Sequence, residues 1–116
     1  MTSADLAILE TDSWFGQIPP ERRALLLEEA NLRTLAGGAH VYNAGDPPAG
    51  LWAVLDGGVQ LKGYPALGVE LALPIFGPGT WFGEISTLDG LPRQTDAAAV
   101  GRTRVLHISD EAIARA

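Results

Sequence analysis

The stretch Leu51–Phe76, LWAVLDGGVQLKGYPALGVELALPIF, decides the fold class. Leu51 to Leu55 is apolar at every position, which predicts a strand covered on both faces. Asp56-Gly57 follows as a two-residue hairpin signal leading into Val59 to Leu61. Further on, Val69, Leu71, Leu73 and Ile75 alternate with Glu70, Ala72, Pro74 and Phe76, the period of a strand. Pro74 has no N–H to give a neighbour, so that strand belongs at a sheet edge or a bulge.

The same rhythm continues on either side. His40-Val41-Tyr42 reads as a short strand before a turn at Gly45-Asp46-Pro47-Pro48, and Gly77-Pro78-Gly79 marks another turn. Two more strands are expected near Ala97 to Val100 and Arg104 to Ile108. Short strands with a turn about every ten residues indicate a sandwich, a barrel or a roll. The first 35 residues read instead as helical. Ser3 can cap a segment through Glu10, Asp12-Ser13 can start another before Trp14 and Phe15, and Pro19-Pro20-Glu21 opens a third that runs to about Asn31. Gly37-Gly38 ends this region. At the far end SDEAIARA has Ser109 as a cap with Asp110 and Glu111 in its first turn, the opening of a helix too short to stand alone. The chain therefore reads as a piece of a longer protein.

Composition narrows the function. The 116 residues make one domain, with 14 Gly and 8 Pro, a density that disfavours a helical bundle. Acidic residues number 14 against 8 basic ones, a formal net charge of -6, and Lys62 is the one lysine. Binding of nucleic acid by this chain itself is not expected, since phosphate neutralisation needs a basic surface. The absence of cysteine excludes disulfides, iron–sulfur clusters, thiolate zinc sites and cysteine nucleophiles within these residues. Neither a membrane span nor a secretory signal is visible, so a cytoplasmic location is expected.

The chemistry sits in Trp81 to Thr95, WFGEISTLDGLPRQT. Gly83 permits close backbone approach, and the turn from Glu84 through Ile85 and Ser86 can present free amides to an anion. Asp89-Gly90-Leu91-Pro92 turns the chain back, so Arg93 can reach the same place with a fork that suits phosphate oxygens. Glu84 adds an acceptor for sugar hydroxyls. Each piece alone is commonplace: an Arg after Pro is usually solvated, and one helical turn usually binds nothing.

Together with the order of elements, these residues resemble the cyclic-nucleotide-binding domain of the catabolite activator and fumarate–nitrate regulator (Crp/Fnr) family of bacterial transcription factors. Phe82-Gly83-Glu84-Ile85-Ser86 and Pro92-Arg93 match that family's phosphate-binding cassette, and Gly45 to Leu61, GDPPAGLWAVLDGGVQL, resembles its Gly-Asp turn, apolar strand and Gly-containing hairpin. The resemblance implies a mainly β fold, a double-stranded β-helix (a jelly-roll-like β-roll) over residues 38–108. Short helices would flank it at 1–35, and a hinge or dimerisation helix would start at 109–116. It implies cAMP or cGMP as effector and no other cofactor. Arg93 would pair with the cyclic phosphate, the amides around Ile85 and Ser86 would assist, and Glu84 would accept from the ribose 2′-hydroxyl. The strand Gly58 to Leu61, with Val59 between, would contact sugar or base. It further implies a homodimer for the complete protein, with DNA bound through a part that is not in this chain.

The sequence departs from the cAMP-binding pattern after the arginine. Gln94-Thr95 stand where a small residue, often Ser or Thr and then Ala, is common. Gln94 can still donate to a ligand, whereas Asp96 would repel a phosphate if it faced one. On this feature rests the alternative, a ligand-silent roll serving as an interaction or dimerisation module. A metal enzyme on the same fold would need clustered ligands, but His40 and His107 lie on separate strands and no His-x-His pair occurs. By alternation His107 shares the face of Val105 and is expected to be a solvated or hydrogen-bonded strand histidine. Trp14, Trp52 and Trp81 read as core or rim aromatics. Ser86 has no partner histidine, and no enzymatic activity is expected.

Overall fold

The computed structural model of the chain describes residues 3–11, 13–46, 50–66, 69–82 and 95–115. Within them lie three N-terminal helices, α1 (Ser3–Leu9), α2 (Ser13–Gln17) and α3 (Pro20–Glu28). Eight strands follow: β1 (Asn31–Leu35), β2 (His40–Tyr42), β3 (Leu51–Asp56), β4 (Val59–Ala66), β5 (Val69–Phe76), β6 (Trp81–Phe82), β7 (Thr95–Ala99) and β8 (Thr103–Ile108). Helix α4 (Asp110–Arg115) closes the described chain. The strands form two four-stranded antiparallel sheets, ordered β1-β8-β3-β6 and β2-β7-β4-β5. This is the β-roll that the sequence pattern and the resemblance imply, and β5, with Pro74, lies at the edge of its sheet.

Strand β3 is buried from Leu51 to Leu55, as its unbroken apolar run demands. Its alternate residues enter two separate cores. Trp52 and Val54 face the second sheet and pack with Val59, Phe82, Ala97 and Val105. Ala53 and Leu55 face outward beneath the helices, with Leu9, Phe15 and Leu106. A third cluster, Leu26, Ile108 and Ala112, seats α3 and α4 beside them. The first sheet is thus sandwiched between the helices and the second sheet.

Helix α3 begins as expected: Arg22 and Arg23 both donate to the Pro19 carbonyl at 2.9 and 3.0 Å, and Pro20 occupies the first turn. It stops at Glu28, however, and Asn31–Leu35 is not helical but a strand paired with β8 in register Asn31↔His107 to Leu35↔Thr103. The roll therefore starts at residue 31 rather than 38. Leu32 and Leu35 fit a helical stripe as well as they fit a strand, and long-range pairing with β8 overrides the helical propensity of the run before them.

The Asp56-Gly57 turn also differs from the expectation. It does not close a hairpin, because β3 and β4 lie in different sheets; it is the corner where the chain passes from one sheet to the other. Gly57 has φ +81°, and a Cβ there would lie 2.5 Å from the Arg102 carbonyl oxygen and 2.9 Å from Thr103 Cα. Ion pairing fixes the helical layer: Arg104 on β8 donates to both carboxylate oxygens of Asp5 on α1, at 3.3 and 2.9 Å. The hydrogen bond to Asp5 and then the charge of Asp5 raise the Arg104 pKa above its ordinary value. From the arginine side, then, the pair is present at neutral pH and is lost only as pH rises into the strongly alkaline range.

Gly57→Ala combines a left-handed backbone with a steric overlap. It is expected to destabilise the domain by about 2–4 kcal/mol in chemical denaturation. Gly38→Ala has φ +84° but nothing within 4 Å of its Cβ, and should cost only about 1–2 kcal/mol. Equal losses at the two sites would contradict the corner assignment.

Candidate functional site

Of the residues assigned to the anion site from sequence, Gly83, Glu84, Ile85, Ser86, Arg93 and Gln94 lie outside the described residues. The structure does place the two anchors of that segment. Phe82 ends β6 in the first sheet, paired with Trp52, and Thr95 opens β7 in the second sheet, opposite Gly63. Segment 83–94 therefore connects the two sheets of the roll.

The entry anchor is gripped on both sides of its strand. Outward, the Trp81 ring stacks on Phe15 with centroids 4.7 Å apart, and Trp81 Nε1 lies 3.5 Å from the Leu9 carbonyl. Inward, Phe82 meets Tyr42 and Phe76 at centroid distances of 6.2 and 5.8 Å. Edge strands two residues long are easily frayed, and these aromatic contacts supply what two ladder rungs cannot.

The exit anchor follows from strand alternation. Residues directly opposite across a ladder share a face. Leu61 opposite Ala97, and Val59 opposite Ala99, face the core between the sheets, so Thr95 opposite Gly63 faces inward with them. A Cβ built on Gly63 would meet, among the described residues, only Thr95 Cγ2, at 4.0 Å. Leu61, Gly63 and Thr95 thus share the inner face of the second sheet. Asp96, paired with Lys62, turns to the outer face, where its carboxylate accepts a 2.7 Å hydrogen bond from the Ala44 amide. Its charge points away from the interior, contrary to the arrangement that would repel a phosphate.

The other residues expected to touch a ligand divide differently. Val59 is fully buried in the core, and Leu61 is half-buried on the inner wall next to the Thr95 end. Gly58 stands at the opposite end of β4, about 16 Å along the strand from Gly63. Its amide donates to Thr103 Oγ1 at 3.3 Å, and its carbonyl accepts from Thr103 Oγ1 and the Val100 amide at 3.0 and 2.9 Å. Both of its polar groups are engaged in the sheet-to-sheet corner.

The two histidines lie on separate strands, as expected, and these strands belong to different sheets. His40 is exposed and contacts Asn43 Oδ1 through its Nδ1. His107 does share the inner face with Val105, but it is buried rather than solvated, stacked on Trp52 at a centroid distance of 4.0 Å. The Arg33 guanidinium lies 5.4 Å from the centre of the same indole. Among the described residues no three His, Asp or Glu side chains gather as metal ligands, and no helix is long and apolar enough to cross a membrane.

Sequence reading missed the part played by Asp96 and Gly63. Ala97, Ala98 and Ala99 are all apolar, so alternation in the sequence leaves both faces open; the register with β4 turns Asp96 outward and Thr95 inward.

Two four-stranded sheets with helices on one face, joined by the stretch that carries Phe-Gly-Glu…Pro-Arg, are the architecture of a β-roll domain. The family model for the cyclic nucleotide-binding domain matches residues 32–116. The chain belongs to that family, in the branch of catabolite activator and fumarate–nitrate regulators. Its curated relatives include the cyclic AMP receptor protein of Thermus thermophilus, 34% identical over 97 residues, covering 84% of this chain and 45% of the relative. The CRP-like cAMP-activated global transcriptional regulator of Mycobacterium tuberculosis is 27% identical over 106 residues, 91% of this chain and 47% of that protein. Among solved structures, that of a putative cAMP-binding regulatory protein from Silicibacter pomeroyi superposes with a TM-score of 0.90 at 25% identity, over 98% of this chain and 52% of the other. The chain thus spans about half the length of the curated relatives it matches.

If Gly58 serves the corner, Thr103→Val should leave its amide without an acceptor and cost about 1–3 kcal/mol of stability. A loss below about 0.5 kcal/mol in urea denaturation would show that the corner does not depend on the Thr103 hydroxyl.

Proposed function

We propose that this domain binds a cyclic nucleotide, cAMP or cGMP, between segment 83–94 and the inner wall of the second sheet. Arg93 pairs with the cyclic phosphate, helped by the amides of Ile85 and Ser86, and Glu84 accepts from the ribose 2′-hydroxyl. Gln94 and Thr95 complete the polar rim, and Leu61 offers an apolar surface to the sugar or base. The observation that carries the reading is the placement of the anchors. The cassette-like segment leaves one sheet at Phe82 and enters the other at Thr95, beside the inner face that carries Leu61 and Gly63.

Binding would reach the rest of the protein through α4. Ser109 caps that helix, its Oγ accepting from the Ala112 amide at 3.1 Å, and Ala112 and Ile113 pack in the cluster that Trp81 also joins. Trp81 is two residues from Gly83, so a change at the start of the cassette is felt where the helix begins. The ligand need only favour one seating of α4 over another. In the complete protein this helix would serve dimerisation and relay the signal to a DNA-binding part, making the whole a cytoplasmic transcription regulator rather than an enzyme. The names of its relatives, which are regulators, favour this. The ligand-silent alternative drew on Gln94-Thr95-Asp96, and the outward turn of Asp96 removes the acid from that argument.

Thermal unfolding with saturating cAMP or cGMP tests the reading. At a hundredfold excess over the dissociation constant, binding adds about 2.7 kcal/mol. For a domain of this size the midpoint should rise by roughly 10 °C. Arg93→Ala should abolish the rise. No rise in the wild-type chain with either nucleotide would favour the ligand-silent roll.

A further inference from the structure

We propose that the free edge of β1 is a docking site for an extended segment of another protein, one that carries an acidic residue facing Arg33. The inference stands on the described strands and is independent of the cyclic-nucleotide reading. Each of the two described sheets has two edges, and an edge strand presents unpaired N–H and C=O groups that invite a further strand. Three of these edges are blunted. Strand β6 is two residues long. Strand β2 is three residues long, and its ladder slips between His40 and Tyr42. Strand β5 carries Pro74, and its ladder with β4 slips between Gln60 and Lys62 and again between Gly63 and Ala66. Strand β1 has none of these devices. Its five residues, Asn31–Leu35, pair with β8 in unbroken register and include no proline, and Asn31 to Thr34 are exposed.

Side-chain chemistry selects the occupant. Arg33 stands opposite Val105, which faces the core between the sheets, so Asn31, Arg33 and Leu35 share the inner face. Leu32 and Thr34 lie on the outer face, where Leu32 is 46% exposed. The Arg33 guanidinium lies 5.4 Å from the centre of the Trp52 indole, which is itself stacked on His107. That contact keeps the cation on the inner face, where the residue facing Arg33 on an added strand also lies. Among the described residues no carboxylate pairs with it.

A second copy of the chain fits this edge poorly. Only the antiparallel register centred on Arg33 lets two β1 strands use all five residues, and it sets arginine against arginine, a destabilising pair. An Asp or Glu facing Arg33, with an apolar or β-branched residue facing Leu32, suits both faces at once. Main-chain bonds along the edge then supply affinity, and the alternating side chains supply the choice of sequence.

Titration of the isotope-labelled chain with the peptide acetyl-Thr-Val-Glu-Val-Thr-amide, followed by amide NMR and hydrogen exchange, tests the proposal. The palindrome presents its Glu to Arg33 whichever way the strand runs. The expected result is saturable shifts at residues 31–35, new protection of the β1 amides that do not pair with β8, and a dissociation constant at or below about 1 mM. The same peptide with Lys for Glu should bind at least about threefold more weakly, and Arg33→Glu should reverse that preference. Arg33 is exposed, so this variant is expected to fold, which circular dichroism checks. Should it not fold, the two peptides on the wild-type chain carry the comparison.

Any of three results overturns the proposal. The first is no shift at β1 with the Glu peptide at millimolar concentration. Equal binding of the Glu and Lys peptides is the second. The third is protection of β1 that grows with the concentration of the chain itself, without peptide, which assigns the edge to a second copy. None of them bears on cyclic-nucleotide binding.

Discussion

The rest of the structure depends on the burial of β3 on both faces. A strand with five successive buried residues cannot lie on the surface of a sheet that faces water, so each of its faces must be covered by something else. Trp52 and Val54 bring the second sheet to one side; Ala53 and Leu55 bring α1 and α2 to the other. That demand forces the chain round a corner at Gly57 instead of back in a hairpin. It also sets the two ends of the cassette on different sheets, because β6 pairs with β3 while β7 pairs with β4. The geometry that would make a ligand site is thus a by-product of the demand for a double-faced core.

Electrostatics sharpen the same picture. Between residues 78 and 104, Glu84, Asp89 and Asp96 balance Arg93, Arg102 and Arg104, and no broad positive field draws an anion to this surface. Selectivity for a phosphate then has to come from where individual charges point. Arg104 is occupied on the helical side by Asp5, and Asp96 is turned outward onto the Ala44 amide. Both commitments are local, and they make geometry matter more than net charge.

Much of this was legible in the sequence. The apolar run at Leu51–Leu55, the edge strand with Pro74 and the cap at Ser109 follow from side-chain chemistry over a few residues, and the structure has each of them. What escaped reading depends on partners distant in the chain. Asn31–Leu35 continues a helix-favouring run, and only pairing with β8, 68 to 76 residues later, makes it a strand. Asp56-Gly57 announces a turn, but turn chemistry does not say whether the next strand stays in the same sheet. His107 was placed on the right face, yet its burial follows from a tryptophan contributed by β3. For the candidate site, the motif was readable from Phe82 to Arg93, while the direction of Asp96 needed the register of β7.

The central proposal is that the phosphate of a bound cyclic nucleotide meets Arg93. The most direct measurement is a crystal structure of the chain with cAMP bound. The account predicts the phosphate oxygens about 2.7–2.9 Å from the Arg93 guanidinium, with the sugar or base against Leu61 and Gly63. Nucleotide bound elsewhere, or Arg93 directed to solvent with the nucleotide in the roll, would contradict it.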